Sequence, residues 1–300
     1  MLTNFFSKTK PSTIIVILLL FLSYYGLAVI NGVESILNLK VVPLFFLTLA
    51  LVTFIDIKNN LSFDNTYVLL FFTVLVGVFP YTLTINSSFY ANVTLLLFLR
   101  KVYSLQSPKN TFKKLFDAGF WLGITFIIEP FSILFFLMLY ISVIIHHRLS
   151  VQGILLPLLG FFVPVFLFFT YCFWYDNLDP FYNLLSWYSY YDISQYEGIN
   201  YLTGFVFTAV FTFIAMFLKT PKALSVLNDF RRSWILVLIN FFCALFLVIL
   251  INNKNGSELL YLLFPTAIII ANGLELYEKK WFVDIITITF LIFPLVLLFV

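Results

Sequence analysis

The chain alternates long apolar runs with short polar connections along nearly its whole length, and that alternation leaves few folds open. The runs lie at roughly 13–31, 41–56, 65–84, 88–99, 116–129, 131–145, 151–171, 201–218, 233–251, 258–276 and 282–300. Crossing the hydrocarbon core of a bilayer takes about 20 residues of helix. Only 10% of the residues are charged and 62% are hydrophobic, against about 25% charged in soluble domains. The expected fold is therefore an all-α, polytopic transmembrane helical bundle of about 11 spans. Runs 88–99, 116–129 and 131–145 are shorter than a straight crossing. The stretch 116–145 reads either as two spans or as a re-entrant pair around Glu129-Pro130.

The placement of basic residues gives these runs a direction. Threaded alternately through a bilayer, they leave every one of the 17 Lys and Arg residues on one side except Lys40 and Lys254. Short cytoplasmic loops carry the excess of Lys and Arg, so the N-terminus is expected inside and the C-terminus outside. The first run is too long and too polar at its end (Ser23, Tyr24, Tyr25, Gly26) for a cleaved signal peptide, and no small-residue cleavage site follows it. Residues 1–300 read as a single transmembrane domain.

Several activities are excluded by what is missing. His146 and His147 are the only histidines, too few for a histidine-rich iron site, and no HExxH, GxSxG or P-loop motif occurs. No metal or other cofactor is expected. Cys172 and Cys243 lack CxxC spacing and read as two buried structural thiols, with a disulfide between them as the alternative. The net charge of +3 restates the topology signal, because the basic residues sit at span ends as short patches, and nucleic acid is not an expected partner.

The remaining candidates cluster in a few places. On the basic side, Ser107-Pro108 signals a turn before Phe112-Lys113-Lys114-Leu115-Phe116, which reads as an interfacial helix on anionic lipid or a grip on a lipid phosphate. On the other side, segment 172–200 carries Asp176, Asp179, Asp192 and Glu197, no basic residue, and a dense aromatic set that includes Trp187 and Tyr188. Two readings fit it. One is an interfacial helix from about 180 to 191 with Asp179-Pro180 as its N-cap and first turn; the other is a binding platform on which a sugar or polyprenyl lipid stacks. Glu129 precedes the helix-breaking Pro130 and is either a boundary cap or a binding residue. Glu34, in the short loop NGVESILNLK, is either a solvated charge or a catalytic base. Glu275 and Asp284, flanking Glu278-Lys279-Lys280, read as a solvated rim.

The stretch 78–171 has a recognisable cadence: FPYTLTINSSFYANVTLLLFLRKV, FDAGFWLGITFIIEPFSILFFLMLYI, HHR, then GILLPLLGFFVPVFLFF. It resembles the middle of the GT-C membrane glycosyltransferases, which use polyprenyl-phosphate sugars. Ala118-Gly119 and Gly123 occupy that family's small-residue positions, which permit close helix packing. The resemblance implies a GT-C-like module over 1–171, an aromatic and acidic outer loop over 172–200, and C-terminal spans over 201–300. It further implies that Glu34 in the first outer loop is the catalytic carboxylate. Asp176, Asp179, Trp187, Tyr188, Asp192, Glu197 and Glu129 would then bind a lipid-linked sugar. The chain departs from that family in the length of its first outer loop, about ten residues, and in having no acidic residue in Thr84-Ile85-Asn86-Ser87-Ser88. As a whole, Phe-rich and biased towards Asn, Lys and Ile, the sequence also resembles multi-pass inner-membrane proteins of flavobacteria, which implies a bacterial inner membrane. The alternatives are a non-catalytic subunit or scaffold of an envelope complex, with membrane-protein partners, and a transporter of lipids or small solutes.

Overall fold

The computed structural model describes residues 2–33, 40–185, 196, 198–225, 228–252, 254–277 and 279–297. Helices dominate: α1 (Leu2–Phe6), α2 (Pro11–Ile30), α3 (Val41–Asn59), α4 (Tyr67–Val78), α5 (Ser87–Tyr103), α6 (Thr111–Ile128), α7 (Phe135–Ile145), α8 (Val151–Trp174), α9 (Asp179–Leu184), α10 (Ile199–Ser225), α11 (Asn228–Leu250), α12 (Leu260–Leu274) and α13 (Lys280–Leu297). Short 3-10 turns at Pro80–Leu83, Pro130–Leu134 and Ser257–Leu259 lead out of α4, into α7 and into α12. The all-α fold expected from the apolar runs is present. Seven helices, α2, α3, α8, α10, α11, α13 and α12 with its leading 3-10 turn, are long and apolar enough to cross a bilayer, which makes the chain a multi-pass membrane protein. The other four runs coincide with shorter or more polar helices, α4 to α7.

The chain forms two compact units, each discontinuous in sequence. Unit 1 comprises Met1–Thr84, Ile193–Leu238 and Lys254–Val300, and unit 2 comprises Ile85–Asp192 and Ile239–Asn253. Helix α11 contributes residues to both.

In unit 1, α4 and α12 are enclosed by other helices. Every residue of α4 except Gly77 and every residue of α12 except Leu262 is buried. A helix that is apolar all round belongs in the middle of its neighbours. Helix α12 packs on α4 and α10, while α4 also meets α2, α3 and α13. Aromatic rings fill the layer between α4, α10 and α13: Phe207 stacks on Phe293 at 3.7 Å, and Phe290 meets Phe71 and Phe211 at 5.0 and 4.9 Å.

Unit 2 is built around α6 and α8, its most extensive helix pair. A Cβ on Gly119 would overlap the Pro157 carbonyl, one on Gly123 the Phe161 carbonyl, and one on Gly160 the Phe116 carbonyl. The small residues therefore let the two backbones touch, as the Gly119-x-x-x-Gly123 spacing predicts. At Glu129 the backbone turns extended (φ −135°, ψ 97°), and the chain returns through Pro130–Leu134 into α7. Helix α6 has 18 residues, about 27 Å at 1.5 Å per residue.

One expectation is corrected here. Phe112–Phe116 is not a separate interfacial helix, because it forms the start of α6, where Leu115 is fully buried. Leu115 faces protein, whereas Phe112 and Lys113 remain exposed. Both cysteines are buried free thiols, as expected, and Cys243 Sγ lies 3.9 Å from the Leu134 carbonyl.

Candidate functional site

The predicted site residues divide into those the structure describes and those it does not. Glu34, Trp187, Tyr188, Asp192 and Glu197 lie outside the described residues. Asp176 is exposed and ends α8 in the left-handed region (φ 49°), where the Asn177 N–H donates to the Cys172 carbonyl at 3.0 Å. That bond closes a Schellman-type cap, a structural task for this position. Asp179 is exposed and opens α9. The N-cap is Leu178 rather than Asp179, so the expected cap shifts by one residue: Asp179 contributes a charge in the first turn, where the helix dipole favours it. Phe181 meets Phe169 edge-on at 5.0 Å and ties α9 to α8. Glu129 stands apart from this turn, half-buried, at the break between α6 and Pro130. The structure thus brings Asp176 and Asp179 to one turn and leaves Glu129 at another.

At one end of unit 1 a groove of about 430 Å³ opens between the last turn of α2, the Pro80–Leu83 turn, the start of α10 and the end of α13. Asn31, Val33, Tyr81, Gly198, Asn200 and Tyr201 line it. Its wall is aromatic, with Tyr201 5.9 Å from Tyr81 and 5.6 Å from Tyr196. Gly256 (φ 90°) lets the chain pass beside the Tyr201 hydroxyl, where a Cβ would collide. The turn is fastened by Glu258, fully buried, whose carboxylate accepts from the Asn255 and Gly256 N–H groups at 3.2 Å each. In sequence, Val33 precedes Glu34 and Gly198 follows Glu197, so the groove lies between the points where two predicted acids leave the described chain.

The opposite end of unit 1 holds a charged cluster that reading the sequence missed. Lys219 Nζ lies 3.5 Å from Glu275 Oε2, with both side chains about 5% exposed (5% and 6%). Glu275 Oε1 also accepts from the Phe63 N–H at 3.0 Å and from Asn65 Nδ2 at 2.6 Å. The ammonium group sits 5.2 Å from the Phe63 ring and 5.0 Å from the Phe230 ring, a geometry in which cation–π attraction adds to the ion pair. Burial pushes the Glu275 carboxyl above its ordinary value, against the opposing pull of Lys219 and the donors from Asn65 and Phe63. Asp56 is buried nearby in sequence and space; Ser62 Oγ reaches both of its oxygens at 2.8 and 2.9 Å. Asn272, fully buried, donates to the Leu61 and Ile268 carbonyls.

One correction follows. Glu275 does not belong to a solvated rim, because the 60–66 connection folds over it. Asp284 stays partly exposed, and its Oδ1 accepts from the Thr3 N–H and hydroxyl at 2.6 Å each, tying α1 to α13. The available signal was the setting of these charges: Asp56 in FIDIK, Lys219 in MFLKT and Glu275 in GLELY each stand among apolar neighbours. Chemically the cluster is a staple, since three donors occupy Glu275 and link α10, α12 and the 60–66 connection.

Among the described residues, no group of three or more His, Cys, Asp or Glu side chains is arranged to hold a metal ion. No curated protein and no solved structure matches the chain. Its whole length, residues 1–300, matches the family described as "Family of unknown function (DUF6427)", and the chain belongs to that family.

Proposed function

We propose that this protein is a small GT-C-like enzyme of the bacterial inner membrane that handles a polyprenyl-phosphate sugar at the groove of unit 1. The observation that carries the reading is the groove itself, about 430 Å³, with an aromatic wall and with Val33 and Gly198 on its lining. It supports the reading because Val33 immediately precedes Glu34 in the sequence and Gly198 immediately follows Glu197. Tyrosine faces give a sugar ring an apolar surface to stack on, and their hydroxyls hydrogen-bond its rim. The groove lies at the end of unit 1 remote from Lys219 and Lys222, which by the charge rule is the outer face. The solid packing of α4 and α12 through the middle of the unit supports work at an end over transport through it.

In this reading the Glu34 carboxylate accepts the proton of an acceptor hydroxyl as that oxygen attacks the anomeric carbon. The bond from the anomeric carbon to the phosphate oxygen breaks, and polyprenyl phosphate leaves with the electron pair. Tyr81, Asn200 and Tyr201, which line the groove, would contact donor or acceptor.

The test is complementation of a deletion strain with the native gene, Glu34→Gln and Tyr201→Ala, followed by mass spectrometry of extracted glycolipids and glycoconjugates. Deletion is expected to change the profile, and Glu34→Gln to reproduce the deletion at normal protein levels. A Glu34→Gln strain with the native profile removes the catalytic role. Co-purification of a stoichiometric partner in mild detergent would then favour the envelope-subunit alternative.

A further inference from the structure

Unit 2 carries a second cavity, of about 570 Å³, at the end where its basic residues gather. Asn110, Thr111, Lys113, His147, Arg148 and Ser150 line it. The turn that forms one wall is set by His147 in the left-handed region (φ 54°), with the Arg148 N–H bonded back to the Val143 carbonyl at 2.9 Å. Two helices, α6 and α8, begin at the cavity. The Ser150 hydroxyl caps the Gly153 N–H of α8 at 2.9 Å, whereas Asn110 makes no side-chain cap for α6. Amides in a first helical turn without acceptors favour an anion.

The charges point the same way. No carboxylate is among the described residues lining this cavity. Asp117, in the same helix as Lys113, is held by Lys101 at 2.6 Å, and Lys114 is occupied by the Ser104 and Ser107 carbonyls at 2.6 and 2.9 Å. Lys113 and Arg148, by contrast, have no ion-pair partner among the described residues. Arg148 itself lines the cavity and is partly exposed, so a phosphate or similar oxyanion seated there would meet its guanidinium in a charge-assisted bond.

The surroundings identify the source of that anion. Phe112 and Leu149 beside the cavity are exposed, and the exposed apolar face of α8 continues from it through Val151, Ile154, Leu155 and Phe162. An anionic cradle that runs into an apolar helix face matches an amphiphile with a charged head and hydrocarbon tails. We propose that this cavity seats the phosphate headgroup of an anionic membrane lipid, with its acyl chains along the exposed face of α8. The site is independent of the groove in unit 1 and of the reading given to it.

The test is native mass spectrometry of the full chain in neutral detergent, titrated with phosphatidylglycerol, with phosphatidylcholine, and with inorganic phosphate. Phosphatidylglycerol is expected to bind at about tenfold lower concentration than phosphatidylcholine, and Lys113→Gln/Arg148→Gln to remove that preference, while Lys222→Gln keeps it. Lys113→Gln alone, at an exposed position, is expected to weaken phosphatidylglycerol binding about fivefold without touching the fold. Equal binding of the two lipids, or a double variant that still prefers phosphatidylglycerol, overturns the proposal. Displacement of bound phosphatidylglycerol by millimolar inorganic phosphate assigns the cavity to the free anion and overturns the lipid assignment.

Discussion

Unit 1 buries an ion pair, Lys219 with Glu275, between α10 and the end of α12, whereas unit 2 brings the backbones of α6 and α8 together through Gly119, Gly123 and Gly160. Both arrangements answer the same difficulty. Lipid tails are as apolar as leucine, so burial of apolar surface drives helix association only weakly, and close van der Waals packing or polar bonds must supply the rest. Unit 1 uses polar bonds where its helices leave the apolar zone. Unit 2 uses small residues along the length of a helix pair, and its ion pair between Lys101 and Asp117 is about a quarter exposed. A buried charge holds a connection in one place but is sensitive to the loss of its partner; a glycine contact is sensitive to any added atom.

The comparison breaks most sharply at Lys219. Replacing it with Met leaves Glu275 buried without its cation, a loss of about 3–5 kcal/mol by analogy with other buried pairs. Thermal unfolding in detergent is expected to show a large fall, mostly recovered in Lys219→Met/Glu275→Met, because two apolar side chains strand no charge. A double variant as unstable as the single one would show that the pair itself is not the source.

The same variant has a pH signature. Burial raises the Glu275 carboxyl above its unfolded value of about 4.3, so protonation favours the folded state. The stability this group contributes is complete below about 4.3 and declines as pH rises through the folded value. Without Lys219 the charged form has less support. The melting-temperature gap between Lys219→Met and the native protein is therefore expected to be wider at pH 8 than at pH 5, and a gap independent of pH would contradict this account.

Glycine provides the next contrast. Gly119→Ala forces a methyl group into the Pro157 carbonyl of α8 and is expected to destabilise unit 2 by about 1–3 kcal/mol. Gly26→Ala, in the middle of α2 with no atom within 4 Å of the new Cβ, is expected to stabilise by about 0.5–1 kcal/mol. Opposite signs for one chemical change, read as melting temperatures, are the result expected. The smallest effect is at the exposed pair: Asp117→Asn should change stability by less than about 1 kcal/mol, and a loss comparable with Lys219→Met would erase the distinction between the units.

Much of the helical framework was legible from local composition. Each apolar run coincides with a helix, and Gly119-x-x-x-Gly123 marked a close contact. In unit 1 the threading also groups correctly by end: Lys219, Glu275, Asn65 and Phe63 meet at one end, and Tyr81, Tyr201 and Gly256 at the other. The site was less legible. Glu275 looked solvated because Glu278-Lys279-Lys280 follows it, and only the fold of the 60–66 connection covers it. Lys113 stands out in the sequence as part of a basic amphipathic stretch, but Arg148, which lines the same cavity, is supplied by a turn 35 residues further along the chain.

The sequence by itself determined the class of solvent this protein lives in, because hydropathy is a sum over neighbouring residues and needs no partner. It also determined where helices form, since a helix satisfies its own backbone. Which helices are enclosed, which charges are paired and where the two cavities lie were decided by tertiary structure. Lys219 and Glu275 are 56 residues apart, and their pairing depends on how α10 and α12 pack, a long-range contact that no local pattern encodes.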